Sequence, residues 1–273
     1  MRSDRFNEFE EIARVLKHPN NGKWNSCGPI LYYRNDIPYY FEELFHTLII
    51  GLTGSGKSHF GTKNIVGAAI PSGESFIVTD PKGEIEKETS PLLPDEYLKI
   101  VLDFRNITTS PAFNPLAYAY TLWKTHEAKK QQQAHQLIED LAAGLYPLSG
   151  KEDPFWKTMA RTLFISVVLL LFKHATSEEE VTIYNVYNII TKGEEKNMGS
   201  TYLKELVELE PESVTKMNLQ GYINTASDTK AGIRSVTLDG LVPFIRSDAL
   251  ASMLCNDDIN MEMLDGEKPS AIL

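Results

Sequence analysis

The sequence contains very little cysteine. Cys27 and Cys255 are the only two cysteines among 273 residues, and neither has a second Cys or a His at the short spacing typical of zinc sites. Because they also lie far apart in sequence, they give no pattern of a disulfide framework. The two residues are typical of reduced thiols in a cytosolic compartment.

Long apolar runs are scarce as well. The longest extends from Leu163 to Phe172, is interrupted by Ser166, and reaches about half of the ~20 residues that a helix needs to cross a bilayer. The first residues, Met1 to Glu10, are polar and charged, whereas a signal peptide has an apolar core. We therefore expect a buried helix at 163–172 and a chain that is soluble as given.

Basic residues are outnumbered by acidic ones. Lys and Arg total 27 against 37 Asp and Glu, the formal net charge is -10, and no basic run is longer than Lys129–Lys130. This composition argues against a broad basic face that wraps duplex DNA, so any nucleic-acid contact must be local. The hydrophobic share of 42% and charged share of 23% are those of a globular protein with one large domain or two smaller ones.

One stretch carries a specific pattern. Residues Gly51 to Ser58 match the phosphate-binding loop motif in full. The apolar run Leu48–Ile50 precedes the motif, as expected of a strand buried on both faces of a parallel sheet, and an amphipathic segment, Lys57–Ile70, follows it. The predicted order of strand, loop and helix is the structural context in which this motif holds a nucleotide.

The residue types of the loop suit a polyphosphate. Glycine at positions 51, 54 and 56 frees the backbone to form a nest of inward N–H groups at a helix N-terminus. Lys57 would reach the β- and γ-phosphates, and the Ser58 hydroxyl would take one Mg²⁺ position. We predict that ATP and Mg are the ligands, that Lys57 and Ser58 are catalytic, and that Ser58 is the metal ligand. The predicted nucleotide-binding residues are Gly51, Thr53, Gly54, Ser55, Gly56, Lys57 and Ser58.

A second motif, Asp80–Glu84, follows an apolar strand predicted at Ser75–Thr79. It falls at the carboxyl end of that strand, the edge at which open α/β sheets bind ligands. Asp80 and Glu84 are therefore candidate nucleotide-site carboxylates that orient water or metal near the γ-phosphate. The alternative is structural: 80–83 form a turn and Glu84 is a first-turn helix charge. The spacing alone leaves both open.

The remaining pattern divides the chain into regions. Short β-prone runs at Pro29–Tyr33 and Ile37–Phe41 predict a hairpin, and apolar spacing over Phe6–Leu16 predicts a helix. Strand and helix signals alternate up to Phe113–Leu116, and helix signals alone continue to about Asp258. We predict an α/β fold in which residues 1–116 are the first part of a nucleotide-binding domain and residues 117–262 are an all-α insertion. Residues 263–273 are predicted to begin a strand that returns to the sheet, and the given sequence stops inside this strand.

Part of the helical region is strongly acidic. Its glutamates form either a solvated face or a docking face for a basic protein partner. They are Glu178, Glu179, Glu180, Glu194, Glu195, Glu205, Glu208, Glu210 and Glu212.

Several stretches together resemble the VirD4/TraG type of type IV secretion coupling protein, the ATPases that pass DNA and protein substrates to conjugation channels. The resemblance covers residues 24–273 and is distributed, which makes it more specific than the phosphate-binding loop alone. It rests on His46, Gly51–Ser58, Asp80–Glu84 with Thr89, Leu102–Asp103, Phe113–Leu116, and Phe155–Trp156.

The resemblance implies a RecA-like P-loop NTPase domain with a mainly parallel sheet and an inserted all-α domain. It further implies a hexameric ring at the cytoplasmic face of the bacterial cell membrane, ATP bound between subunits, an arginine supplied by the neighbouring subunit, and single- or double-stranded DNA in the channel. Relaxase, relaxosome and secretion-channel proteins are the implied partners. Membrane helices and a Walker B strand, which family members usually have, are not recognisable here, so we place the Walker B acids beyond Leu273.

Three functions are compatible with these features. The first is a motor ATPase that recruits and energises substrate transfer. The second is a receptor whose acidic helical domain recruits a relaxase or effector while nucleotide only sets its shape. The third is a DNA pump of the HerA/FtsK kind, which shares the loop and an Asp-x-x-Gly-Glu turn, but 113–116 and the helical insertion favour a coupling protein.

Overall fold

The computed structural model describes residues 14–43, 46–148, 150, 153–259, 261, 264 and 268–273. The chain divides into two compact units. The first comprises Met1–Leu102 and Met261–Leu273, and the second comprises Asp103–Asn260. Most of the helix predicted at Phe6–Leu16 lies outside the described residues.

The first unit contains an antiparallel hairpin and a small parallel sheet. The hairpin strands are β1 (Ile30–Arg34) and β2 (Ile37–Tyr40), as predicted from their β-prone composition. The other elements of this unit, in chain order, are α1 (Lys63–Ser72), β3 (Phe76–Ile77), α2 (Glu84–Thr89), β4 (Leu98–Ile100) and β7 (Ser270–Ile272). The three strands form a parallel sheet in the order β3-β7-β4.

The last residues of the chain form the central strand of this sheet. β7 lies between β3 and β4, as expected for a strand that returns after the helical region. Leu273 at its end packs with Val66 of α1 and Ile85 of α2 in the small core of this unit. The predicted α/β fold class, with a parallel sheet and a separate helical region, is confirmed.

The strand predicted at Leu48–Ile50 is not formed. These residues are in irregular backbone, and Leu48 and Ile50 are 84% and 85% exposed. An apolar run becomes a strand only where a neighbour pairs its backbone groups, and in the described sheet β7 occupies the central position. Ile49 instead reaches the helix that follows the loop, where its Cδ1 lies over Gly61 in the space that a Cβ would fill. The prediction of a buried strand was therefore wrong for this structure.

The second unit is almost entirely helical, as predicted from 121 to 258. Its described residues form eight α-helices and one short antiparallel hairpin, β5 (Lys196–Asn197) with β6 (Ser200–Thr201). The helices are α3 (Ala117–Lys124), α4 (Ala128–Leu145), α5 (Pro154–His174), α6 (Ile183–Lys192), α7 (Tyr202–Leu209), α8 (Val214–Ile223), α9 (Ser227–Leu241) and α10 (Asp248–Cys255).

Helix α5 is the centre of the helical unit. It begins as predicted, because the Asp153 carboxylate accepts a hydrogen bond from Phe155 N at 2.9 Å and Pro154 occupies the first turn. The helix is long and apolar enough to cross a membrane by length and composition, but more than half of its most apolar window is buried. The run at 163–172 is thus the buried helix segment that we expected.

The motif Phe113–Leu116 lies within the helical unit. Asn114 Nδ2 donates to Val181 O at 2.6 Å, and its Oδ1 accepts from Leu116 N at 3.0 Å, so this buried side chain fixes the approach to α3. The compact units meet in sequence at 102/103 and 260/261. The functional boundaries at 116 and 262 stay a prediction.

Candidate functional site

The phosphate-binding loop is an irregular segment that leads directly into a helix. Gly54 and Gly56 have φ angles of 80° and 82°, a left-handed conformation that suits glycine. Ser55 N donates to Leu52 O at 3.1 Å and closes a turn within the loop. The helix then begins with a π-helical turn at Ser58–Thr62, which continues into α1. The backbone therefore has the turn and helix N-terminus arrangement that can hold an anion, although the segment before the loop does not form the predicted strand.

Lys57 lies over this loop. Its Nζ donates to Gly51 O and to Leu52 O, both at 2.7 Å. The ammonium has three protons and no acceptor capacity, so carbonyl and phosphate oxygens are both suitable partners for it. A phosphate oxygen beside the same ammonium would form a stronger, charge-assisted bond. The position of Lys57 thus fits a polyphosphate in the loop.

The other loop residues also suit that ligand. A Cβ at Gly51 would approach Ser55 Oγ to 2.5 Å, so glycine permits the close packing seen here. Thr53, Gly54 and Ser55 are exposed, and Ser58 is an exposed residue directly after the lysine. A hydroxyl is a hard oxygen ligand of the kind that Mg²⁺ prefers. The residues present fit the predicted Mg-nucleotide, and Gly51 through Ser58 remain its proposed binding residues.

Asp80 holds the N-terminus of α2. Its Oδ2 accepts hydrogen bonds from Ile85 N at 2.7 Å and Glu86 N at 3.0 Å. Burial raises the pKa of this carboxyl, but the backbone N–H groups of Glu86 and Ile85, with those of the 82–83 turn, bring the pKa below its ordinary value. The contacts of Asp80 therefore show a structural role, in which it stabilises the turn and the start of α2. A role at the γ-phosphate stays a prediction.

Glu84 lies on the same short helix but has a different environment. It is exposed in the first turn of α2, where a negative charge complements the helix dipole. Gly83, with a φ angle of 70°, makes the turn that leads into the helix. Nucleotide contact by Glu84, like that by Asp80, remains a proposal.

We expect Asp80→Ala to destabilise the first turn of α2 by about 1 kcal/mol at neutral pH, as for the loss of other helix caps. Because the folded-state pKa of Asp80 is lowered, its stabilisation is present above the unfolded-state pKa and disappears as the pH falls through the folded-state pKa. Hydrogen exchange of the Ile85 and Glu86 amides measures the effect. Exchange should be faster in the variant at pH 7 and converge with the wild type in strong acid.

Glu84→Ala is the matched control for this experiment, since Glu84 lies in the same turn and does not receive these two hydrogen bonds. It should change the exchange of both amides much less than Asp80→Ala does. Equal exchange in the two variants at pH 7 would show that Asp80 is not the helix cap.

The helical unit contains a cavity that the sequence did not predict. It has a volume of about 560 Å³ and is lined by α5, α6 and α7. Leu171, Ile189, Leu203 and Leu206 are among its apolar lining residues. The polar residues around it include His174, Glu180, Asn185, Asn188, Lys192 and Glu195. Because its lining residues come from three separate helices, no local sequence motif could predict this cavity.

The Glu210 carboxylate, directly after α7, is buried and forms ion pairs. Glu210 accepts hydrogen bonds from Lys173 and from His174, which itself lines the cavity. Burial raises the pKa of the Glu210 carboxyl, but the hydrogen bonds and charges of Lys173 and His174 bring its pKa below the ordinary value. Glu210 therefore stabilises the helical unit as an ionised group, and it is not part of a freely solvated acidic face.

A phosphate-binding loop, a parallel sheet and a large helical unit inserted before its central strand define the class of this protein. A family model for type IV secretory system conjugative DNA transfer matches residues 5–269. This match spans nearly all of the chain, and the chain belongs to that family. The resemblance to coupling proteins is thereby confirmed, and the family assignment favours a coupling protein over a HerA/FtsK-type pump.

The chain is also similar to individual coupling proteins. Over 162 residues it is 26% identical to the coupling protein TraD of Escherichia coli strain K12, a match that covers 59% of this chain and 19% of TraD. The plasmid coupling protein TrwB in complex with ADP and Mg²⁺ has a TM-score of 0.48 at 14% identity, over 81% of this chain and 44% of that one. A trigonal form of TrwBdeltaN70 with sulphate gives the same score and identity, over 81% and 45%. The chain thus spans less than half the length of these relatives.

Proposed function

We propose that this chain is the nucleotide-binding and substrate-recruiting part of a conjugative coupling protein, an ATPase that energises transfer of DNA with its relaxase, or of protein substrates, through a type IV secretion channel. The observation that carries the proposal is the family match over 5–269, which includes a phosphate-binding loop with Lys57 over its carbonyl groups. The left-handed glycines at 54 and 56 support a polyphosphate as the ligand of this loop.

The proposed chemistry uses few groups of this chain. Lys57 and the loop amides from 54 to 58 would neutralise and orient the phosphates, and Ser58 would hold Mg²⁺, because phosphoryl transfer depends mainly on positioning and electrostatic stabilisation. Bound ATP supplies the phosphoryl group that is transferred to water. Asp80 and Glu84 stay candidate carboxylates near the γ-phosphate, whereas the Walker B acids and an arginine from a neighbouring subunit are expected from other parts of the assembly.

The proposed assembly follows from family membership. We infer a RecA-like domain in a hexamer of the complete protein, at the cytoplasmic face of the bacterial membrane, with membrane attachment through segments other than those described. DNA would pass along the ring axis, and relaxosome and channel proteins would be the protein partners. The acidic net charge of -10 agrees with DNA contacts that are local to a channel and do not cover a broad face.

Titration of the chain with a fluorescent ADP analogue, with and without Mg²⁺, tests the central part of this proposal. We expect saturable binding that is tighter with Mg²⁺. Unlabelled ATP should compete with the analogue for the same loop. A chain that is folded by circular dichroism and binds neither nucleotide would overturn the proposal.

The helical unit supports a second role, as the receptor for a protein substrate. Its cavity combines an apolar lining with the carboxylates of Glu180 and Glu195. Glu178 and Glu179, in the same turn as Glu180, add further negative charge. An amphipathic segment with apolar residues on one side and Lys or Arg on the other is the chemistry that fits such a surface.

We expect Leu206→Ala to weaken binding of a labelled amphipathic Leu/Lys peptide about tenfold, because Leu206 lines the cavity and loss of the apolar contact of a leucine side chain costs about 1.5 kcal/mol. Fluorescence anisotropy measures the change. Leu209→Ala is the control on the same helix, since Leu209 is 84% exposed and does not line the cavity. Equal affinities of the two variants would exclude the cavity as the peptide site.

A further inference from the structure

The cavity of the helical unit is bordered by a short hairpin. This β5–β6 hairpin connects α6 to α7. The residues directly before and after it, Glu195 and Tyr202, both line the cavity, and Tyr202 is 52% exposed. The β5–β6 hairpin therefore begins and ends at the rim of the cavity.

Two hydrogen bonds fix the β5–β6 hairpin to the helices that line the cavity. Leu203 N donates to Gly193 O at 2.8 Å, which ties the first turn of α7 to the residue directly after α6. Asn197 Nδ2 donates to Glu205 Oε2 at 3.0 Å and so links β5 to α7. The hairpin is thus held at the rim by contacts on both sides of its base.

The tip of the β5–β6 hairpin holds a methionine in a strained backbone conformation. Met198 and Gly199 form the two-residue turn, with φ angles of 45° and 92°. Asn-Gly is the sequence that such a left-handed turn favours, whereas methionine seldom adopts this conformation. The side chain of Met198 is fully exposed, so packing within the fold does not offset the strain. Contact with a bound partner would account for both features.

The tip is close enough to the cavity to contact a segment bound there. Met198 is three residues from Glu195, so their Cα atoms are at most roughly 11 Å apart. A helix with its side chains is about 10–12 Å across. A helical segment on the cavity is therefore wide enough to reach the tip.

The chain around the cavity is acidic. Residues 178–210 contain eight glutamates and three lysines, a formal charge of -5. Lysines from other segments pair with three of these glutamates and leave a formal charge of -2. They are Lys124, Lys173 and Lys230. A bound segment with basic side chains on one face and apolar side chains on the other would match this charge and the apolar lining of the cavity.

We propose that Met198 is a specificity-determining contact of the cavity site, where it packs on the apolar side chains of a bound basic, amphipathic segment. This inference rests on the proposed receptor role of the helical unit. The unbranched, flexible thioether side chain of methionine adapts to partners of different shape and is common at binding surfaces that accept several partners. A receptor for more than one protein substrate would use a contact of this kind.

Met198→Asn separates binding from backbone strain. Asparagine is favoured at this turn position, so the unfolding temperature of the variant should equal or exceed that of the wild type. The Kd for the labelled Leu/Lys peptide should nevertheless rise about fivefold, because the apolar contact is lost. Met198→Leu keeps an apolar side chain and should bind within about twofold of the wild type. Fluorescence anisotropy and thermal unfolding by circular dichroism, on the full chain without nucleotide, measure both quantities.

Oxidative footprinting tests the contact directly. Dilute hydrogen peroxide converts exposed methionine to the sulfoxide, and mass spectrometry gives the rate at each position. Met217 of α8 is 64% exposed and does not line the cavity, so it is the internal control. Saturating Leu/Lys peptide should slow the oxidation of Met198 about fivefold, since oxidation follows exposure, and should leave the rate at Met217 unchanged.

The outcomes distinguish this inference from the receptor role. If Leu206→Ala weakens peptide binding while Met198→Asn binds like the wild type, the cavity binds the peptide without the hairpin and the inference is wrong. Equal oxidation of Met198 with and without bound peptide would also overturn it. Weaker binding by Met198→Asn together with a lower unfolding temperature would show that Met198 has a structural role instead. A wild-type chain that does not bind the peptide would overturn both the receptor role and the inference.

Discussion

Lys57→Ala should raise the Kd for Mg-ADP by about two orders of magnitude, since it removes a charge-assisted contact to the phosphates. The Lys57 ammonium also donates hydrogen bonds to Gly51 O and Leu52 O, which link the two ends of the loop. Alanine loses both the phosphate contact and these two hydrogen bonds. The fluorescent ADP titration described above measures the change directly, and turnover by the complete protein should be abolished.

Lys63→Ala provides the matched control. Lys63 lies on the helix that follows the loop, and its Nζ pairs with Glu88 Oε1 at 2.5 Å. Its loss removes the same single positive charge, yet should change the Kd for ADP by less than about threefold, because its ammonium is directed at Glu88. Unchanged affinity in Lys57→Ala, or an equal loss in Lys63→Ala, would show that the loop does not bind phosphate through Lys57.

Phe164→Ala should have the largest effect on stability. Phe164 is fully buried in α5, and its ring packs edge-on against Tyr146 with centroids 6.1 Å apart. Truncation of a buried Phe to Ala typically lowers the free energy of unfolding by about 3–5 kcal/mol, because apolar contacts are lost and a cavity remains. Urea denaturation followed by circular dichroism of the helical signal measures the loss.

A residue on the same helix again provides the comparison. Phe155 is 42% exposed near the start of α5, so Phe155→Ala should cost less than about 1 kcal/mol. If both variants unfold at the same urea concentration, then Phe164 is not in the core that holds the helical unit together.

Local features were predictable where the residues themselves determine the backbone. The hairpin around Arg34–Asp36 follows from β-prone runs that flank Asn35 and Asp36, which adopt φ angles of 50° and 63° as a tight hairpin turn requires. The start of α5 follows from Asp153 and Pro154, whose side chains act within one turn. Such signals need no knowledge of distant residues.

The strand expected at Leu48–Ile50 shows the limit of this reasoning. A run of apolar residues indicates that a segment can be buried, but pairing depends on which strand lies beside it. The described sheet places β7, from the far end of the chain, between β3 and β4. No feature of residues 48–50 contains that information.

The candidate sites show the same division. The residues of the phosphate-binding loop were identifiable because the motif is contiguous, and the two interpretations of Asp80 could be stated but not decided, since its hydrogen bonds to Ile85 and Glu86 depend on the geometry of one turn. The cavity of the helical unit combines side chains from separate helices. It could be recognised only once the packing of those helices was known.

The central position of β7 has a consequence for the order of folding. Leu98 of β4 pairs with Ser270, so the parallel sheet of the first unit is completed by residues that are synthesised after the whole helical unit. On the ribosome, β3 and β4 emerge with no strand between them, and the intervening segment must become compact before its two ends can meet. Helices form from near neighbours in sequence and assemble quickly. The helical unit must therefore become compact before the parallel sheet of the first unit can be completed.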